Sequence, residues 1–283
     1  QKLEQTFTSI SFNVLLPLAL ITNFWLITFP DVFIIKLLIS FFGAGIIIFI
    51  LSFLIGKYFF QFKIDDSALF GLGACFGNSV ALGIPLMYSI LGPIKTMPYM
   101  ILVLFHGLVH FTYTTLIIES YRNRNQSNLK KIIYTVMGLA QNVVLIGMVI
   151  GFSLNYFSVP FPTSLQIILQ PITKIALPTV LVALGMGLAS FKIISDFYHL
   201  LVLTTLKNFV YPVIAFIIAK YVFQLPSLLI FIITMAAALP SGTQTYYFSY
   251  RYNSLQNIIS ANVVVSTFVS FFTLSIILFL FNY

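Results

Sequence analysis

The sequence predicts an all-α integral membrane protein: an inverted repeat of five plus five helices in which nine spans are visible, the first helix is absent and two helices are broken. Three observations carry this expectation. Of 283 residues, 60% are hydrophobic and 7% charged, whereas a soluble domain averages about 25% charged. Too few charges exist to coat a soluble globule. The apolar residues run unbroken instead of alternating as in a membrane barrel, and a run of about 20 crosses the hydrocarbon as a helix. Matching proline motifs also recur in the same order in both halves.

Nine segments are long enough to span: 8–29, 36–60, 68–92, 97–119, 130–157, 165–190, 198–223, 227–251 and 256–282. Short connectors separate them, marked by Pro30-Asp31, Gly92-Pro93, Arg122 to Asn128, Pro160 to Pro162 and Arg251 to Ser254. Residues 1–129 form the first repeat, lacking its first helix, and residues 130–283 the second. The net charge of +8 is spread thinly between apolar runs, which sets orientation and gives no nucleic-acid face. One side collects Lys2, Lys57, Lys63, Arg122, Arg124, Lys130, Lys131, Lys192 and Arg251, and the other Lys36, Lys95 and Lys220. This bias puts the visible N-terminus in the cytoplasm and Tyr283 outside. A single cysteine, Cys75, excludes an internal disulfide and a zinc cluster. The chain starts at Gln1 with no signal peptide in view, as a trimmed or incomplete chain would.

The repeat rests on four proline sites. Asn13-Val14-Leu15-Leu16-Pro17 pairs with Lys174-Ile175-Ala176-Leu177-Pro178, and Ala81-Leu82-Gly83-Ile84-Pro85 with Ala237-Ala238-Leu239-Pro240. The separations agree, 68 residues from Pro17 to Pro85 and 62 from Pro178 to Pro240. Span 130–157 has no partner, which implies a helix before residue 1. A repeat unit of five spans must be inverted in its second copy. Chance recurrence of Leu-Pro pairs is the competing explanation, and order and spacing weigh against it.

Two spans are broken at bilayer depth. In 68–92, Gly71, Gly73, Gly77 and Gly83 surround Asn78 and Ser79 ahead of Pro85; in 227–251, Pro240 leads into Ser241, Gly242, Thr243 and Gln244. Proline lacks an N–H and obstructs the preceding turn. Unwound backbone in hydrocarbon survives only where it faces protein or a cavity. Paired breaks in corresponding positions mark a transporter's central site, with half-helix N-termini suited to an anion. Proline kinks and small residues for tight packing explain the glycines, but not the Asn, Ser, Thr and Gln.

At this point the residues resemble a family. Gly77-Asn78-Ser79-Val80-Ala81-Leu82-Gly83-Ile84-Pro85-Leu86, Pro178 through Leu188, and Ala238-Leu239-Pro240-Ser241 are similar to the fourth, seventh and ninth helices of the auxin efflux carrier family. That family includes plant auxin exporters and bacterial malate or malonate permeases. The resemblance covers residue 8 to the end. It implies a ten-helix fold whose fourth and ninth helices cross at their prolines, with a scaffold packed against a mobile bundle. The short connectors fit the bacterial type in an inner (plasma) membrane.

Lys174 and Lys207 lie about ten residues into their spans, which at about 1.5 Å per residue brings both towards the midplane. A charge there costs at least ~2.5 kcal/mol and faces a cavity or a partner. Without an acid at that depth, the pair points to an anionic substrate or to neutral, deprotonated lysines; snorkelling or bonds to carbonyls freed by proline are the alternative. His106 and His110 share a helical face and suit either a proton relay or buried structural bonding. Asn13, Asn142, Tyr246 and Tyr247 complete the candidate cavity groups.

The expected function is a secondary carrier moving a small organic anion, such as a di- or monocarboxylate, by alternating access. Substrate contacts are expected from Asn78, Ser79, Pro85, Pro240, Ser241, Thr243, Gln244, Asn13, Lys174 and Lys207. No catalytic residue, metal or cofactor is expected. The expected partners are the anion, a proton or sodium ion for coupling, the bilayer and a second copy in a homodimer. The alternatives are an integral-membrane enzyme, for which Asp65-Asp66 is the one acidic pair, a cation/proton antiporter, which lacks midplane carboxylates, and a non-transporting receptor or truncated carrier.

Overall fold

The computed structural model describes residues 2–26, 34–122, 143–188 and 196–283; among them every regular element is a helix. Helix α1 (Lys2–Ile10), a π turn (Ser11–Leu15) and α2 (Leu16–Trp25) make the first span; α3 (Ile34–Leu54) with a π turn (Ile55–Phe59) makes the second. Helices α4 (Ile64–Cys75) and α5 (Ile84–Lys95) flank a break and a π turn (Ser79–Gly83), and α6 (Met97–Arg122) follows. Next come α7 (Val143–Tyr156) and α8 (Thr163–Leu188). Helices α9 (Phe197–Thr205) and α10 (Tyr211–Ile217), with π turns Leu206–Val210 and Ile218–Val222, form one continuous span. A second break separates α11 (Ser227–Ala238) from α12 (Thr243–Tyr252), and α13 (Gln256–Leu280) closes the chain.

Among the described residues six helices are long and apolar enough to cross a membrane: Thr6–Trp25, Ile34–Phe59, Met97–Arg122, Thr163–Met186, Phe197–Val222 and Gln256–Leu280. They coincide with six of the nine predicted spans. Spans 68–92 and 227–251 are the two divided ones. Of span 130–157 the described part is helical from Val143 to Tyr156; residues 130–142, with Asn142, and residues 27–29 and 189–190 of their spans lie outside the described residues.

Proline explains most of the irregular turns. Pro17, Pro85 and Pro212 each sit two residues after a π turn. Each lacks the N–H that the carbonyl four residues earlier needs, so the ladder slips towards i→i+5 pairing there. The other two π turns end spans in the same way. Phe60 N donates to Ile55 O (3.1 Å) and Phe62 N to Gly56 O (2.9 Å), around Gln61 at φ 58°. Phe223 N donates to Ile218 O (3.0 Å) and Leu225 N to Ala219 O (3.0 Å), around Gln224 at φ 48°.

The helices assemble as two groups. In one, α2 packs on α7 and α8. The closeness follows from Gly147 and Gly151, four apart on α7: a Cβ would stand 2.9 Å from Pro17 O at the first and 2.5 Å from Ile21 O at the second. Small residues at this spacing bring backbones together where lipid provides no hydrophobic drive. In the other group α3 packs on α4, α10 and α11, α4 on α6, and α12 on α13. Helix α5 and the turn before it touch α8 and join the groups. Large apolar residues including Ile35, Ile50, Phe268, Phe271 and Phe279 remain on the outer surface, the distribution expected when lipid is the solvent. Phe41, Phe70, Tyr99, Tyr211 and Phe231 are fully buried.

Candidate functional site

The two breaks meet. Helix α4 stops at Cys75; Phe76 is extended (φ −85°, ψ 110°) and Asn78 lies at φ −74°, ψ 61° before helical geometry resumes. Helix α11 stops at Ala238; Leu239 (φ −55°, ψ 145°) and Gly242 (φ −73°, ψ 142°) bracket Pro240 and Ser241. Gly77 and Ser241 form an antiparallel bridge, in which Asn78 N donates to Pro240 O (2.8 Å) and Gly242 N to Phe76 O (3.0 Å). Four backbone groups without helical partners thus satisfy one another. An unsatisfied group in hydrocarbon costs several kcal/mol, so each break needs the other.

The remaining orphans are met in parallel fashion. Gly77 N donates to His106 Nε2 on α6 (3.2 Å), and Ser241 N to Ser266 Oγ on α13 (2.9 Å). With those amides diverted, the carbonyls one turn earlier lose their helical donors. Gly73 O takes bonds from Ser241 Oγ (3.1 Å) and Asn262 Nδ2 (3.4 Å), and Ala237 O takes one from Lys207 Nζ (2.7 Å). Thr204 Oγ1 holds Asn262 Oδ1 (3.0 Å), and Asn208 Nδ2 donates to Ser266 O (3.1 Å). Beyond the first break, Tyr99 Oη donates to Ser79 O (2.6 Å). A Cβ on Gly83 would overlap that hydroxyl, so glycine is required there by space.

The predicted residues divide. Asn78, Ser79, Pro85, Pro240, Ser241 and Lys207 are buried, and Thr243 and Gln244 half-buried; all belong to the two breaks or bond to them. Asn78 is 1% exposed, yet neither its Oδ1 nor its Nδ2 has a partner, and Gln244 Oε1 also lacks one. Asn13 and Lys174 sit on exposed positions. Asn13 donates to Ser9 Oγ (3.1 Å), and neither residue hydrogen-bonds to the breaks. Tyr246 is half-buried and Tyr247 exposed.

His106 and His110 are both buried, with ring centroids 4.5 Å apart. Nε2 of His106 accepts from Gly77, which requires a ring unprotonated at that atom. Nδ1 of His110 lies 2.9 Å from His106 O. One nitrogen per ring, His106 Nδ1 and His110 Nε2, is left without a partner. A Cβ on Gly45 would stand 2.9 Å from that His110 Nε2 and 3.2 Å from Tyr211 Oη. Cys75 is buried at the α4 terminus, its Sγ 3.2 Å from Tyr113 Oη.

The acidic pair is engaged elsewhere. Asp65 Oδ2 accepts from Arg122 Nε (2.8 Å) and Nη2 (2.5 Å), and Asp66 accepts from Ser254 Oγ. Tyr252 Oη donates to Glu119 Oε1 (3.1 Å). Among the described residues no cluster of three His, Cys, Asp or Glu could hold a metal ion. Sequence reasoning missed Asn262 and Ser266, two of several polar residues along α13. The repeat could have found Ser266, which follows the second break much as His106 follows the first.

An all-helical membrane bundle whose interrupted helices pair backbone to backbone has the architecture of a membrane transporter. The family described as "Membrane transport protein" matches residues 3–278, and the chain belongs to that family, the auxin efflux carrier group that its motifs resemble. It is also 21% identical over 242 residues, 84% of this chain and 74% of the relative, to a Rhizobium meliloti (strain 1021) protein named "Putative malonate transporter".

Proposed function

We propose that the protein is a secondary carrier for a small organic anion, a dicarboxylate of the malonate class foremost, which binds where the two breaks cross and moves by alternating access. One observation carries this reading: a buried asparagine with both amide atoms unpartnered stands at the crossing, and Gln244 Oε1, also unpartnered, belongs to the first turn after the second break. A buried polar group without a partner costs about 1–3 kcal/mol and persists where a ligand completes it. The α12 half-helix and the turn leading into α5 both start directly after the bridged breaks, and helix N-termini favour negative charge. Asn78, Ser79, Thr243 and Gln244 supply the contacts; Pro85, Pro240 and Ser241 keep the backbone open. The name of the Rhizobium meliloti relative supports the substrate class. The matching span ends at Gln61 and Gln224, and the matching amide caps at His106 and Ser266, support two inverted repeats, with the Arg122 end of the bundle in the cytoplasm of a bacterial inner membrane.

Flux of labelled malonate into proteoliposomes tests the site. Asn78→Ala and Gln244→Ala are each expected to reduce uptake at least tenfold while the protein inserts and elutes as wild type does. Undiminished flux in both variants would refute the site.

A further inference from the structure

Among the described residues, Lys207 is the one lysine or arginine that hydrogen-bonds at the crossing. Its π turn, Leu206–Val210, is set by Pro212 two residues on. The side chain is 0% exposed, and Nζ makes a single hydrogen bond, to Ala237 O at 2.7 Å. It lies 4.9 Å from the centroid of the Tyr211 ring and 3.7 Å from where a Cβ on Gly77 would stand. Among the described residues, the other titratable groups around this place are Cys75, His106, His110 and Tyr113, none of them a carboxylate. Asp65 and Asp66 are tied to Arg122 and Ser254, and Glu119 bonds Tyr252.

The bond to Ala237 answers a specific deficit. Ala236 would bond to the amide of residue 240, which is proline and has none; Ala237 would bond to Ser241 N, which donates to Ser266 instead. Because Gly242 N is given to Phe76 O, Ala238 lacks its donor too, and the end of α11 presents three carbonyls without helical donors, at the pole where the helix dipole is negative. Oxygen atoms so placed are what a hard monovalent cation takes as ligands. At the corresponding carbonyl of the first break, Gly73 O, neutral donors from Ser241 and Asn262 serve. Here a lysine Nζ does.

We propose that Lys207 is a built-in countercation: its ammonium stands where a sodium ion would otherwise be bound, and the crossing holds together without any dissolved metal cation. The side chain also acts on the anion through its positive field, without touching it. For the anion the inference rests on the carrier reading; for sodium independence of the fold it does not.

Thermal unfolding of the purified protein, without substrate, in sodium chloride against choline chloride tests it. Wild type is expected to melt at one temperature in both salts. Lys207→Ala is expected to melt lower in choline and to recover part of the loss in sodium. Lys207→Gln, which keeps a donor for Ala237 but no charge, covers the case in which the alanine variant does not fold; it too is expected to melt lower in choline and to respond to sodium. A sodium-dependent melting point in wild type, or variants indifferent to sodium, would overturn the proposal. In proteoliposomes, wild-type malonate flux should be equal in the two salts, while flux by the variants is lost in choline and regained in sodium. Absent wild-type flux would count against the substrate reading and leave the melting result standing.

Discussion

At the residue scale, the crossing is held by side chains that replace helical partners one for one. His106 is the clearest case. Its Nε2 accepts the Gly77 amide in a buried setting, and loss of such a partner costs about 1–3 kcal/mol. His106→Leu should lower stability by that amount, while His106→Gln, whose side-chain oxygen can still accept, should recover most of it; equal losses in the two would show that the bond contributes nothing. A proton placed on Nε2 would break the same bond, so any proton traffic through this ring acts directly on the first break. The breaks' own polar residues, Asn78, Ser79, Ser241 and Gln244, were legible in the sequence, because polar groups beside proline and glycine are costly at bilayer depth. The caps were not. His106 bonds a backbone amide 29 positions away, and no local pattern in α6 announces which amide will be free.

At the element scale, hydrophobic length located the spans, since an unbroken apolar run reports directly on lipid thickness. Proline located their irregularities. Helix contacts were less legible, because lipid-facing and protein-facing positions are both apolar in this chain. Gly147 and Gly151 show where the missing information lay: their four-residue spacing marks a face, but only assembly reveals that Pro17 and Ile21 on α2 meet it. Gly151→Leu is expected to force α2 and α7 apart and lower the melting temperature markedly, whereas Gly185→Ala, where no atom lies within 4 Å of an added Cβ, should leave it nearly unchanged. Similar melting of the two variants would contradict the close backbone approach.

At the scale of the whole molecule, the two helix groups and the single crossing define what can move relative to what. Helix α4, which enters the first break, is fastened at its start by Asp65 to Arg122 of α6 and by Asp66 to Ser254 between α12 and α13. One end of both broken helices is thereby gathered at a single polar knot. Arg122 is 35% exposed and solvent weakens its pair, so Asp65→Asn should cost only about 1 kcal/mol in chemical denaturation. A cost several times larger would mean the knot governs the fold more than its exposure implies.

The deep placement of Cys75 has a practical return. It is the sole sulfhydryl in the sequence and is wholly shielded, so a maleimide dye leaves the folded bundle dark and lights up as the bundle melts. The native chain thus serves as its own unfolding reporter, and a cysteine engineered on the surface can be tagged without first removing a competing one.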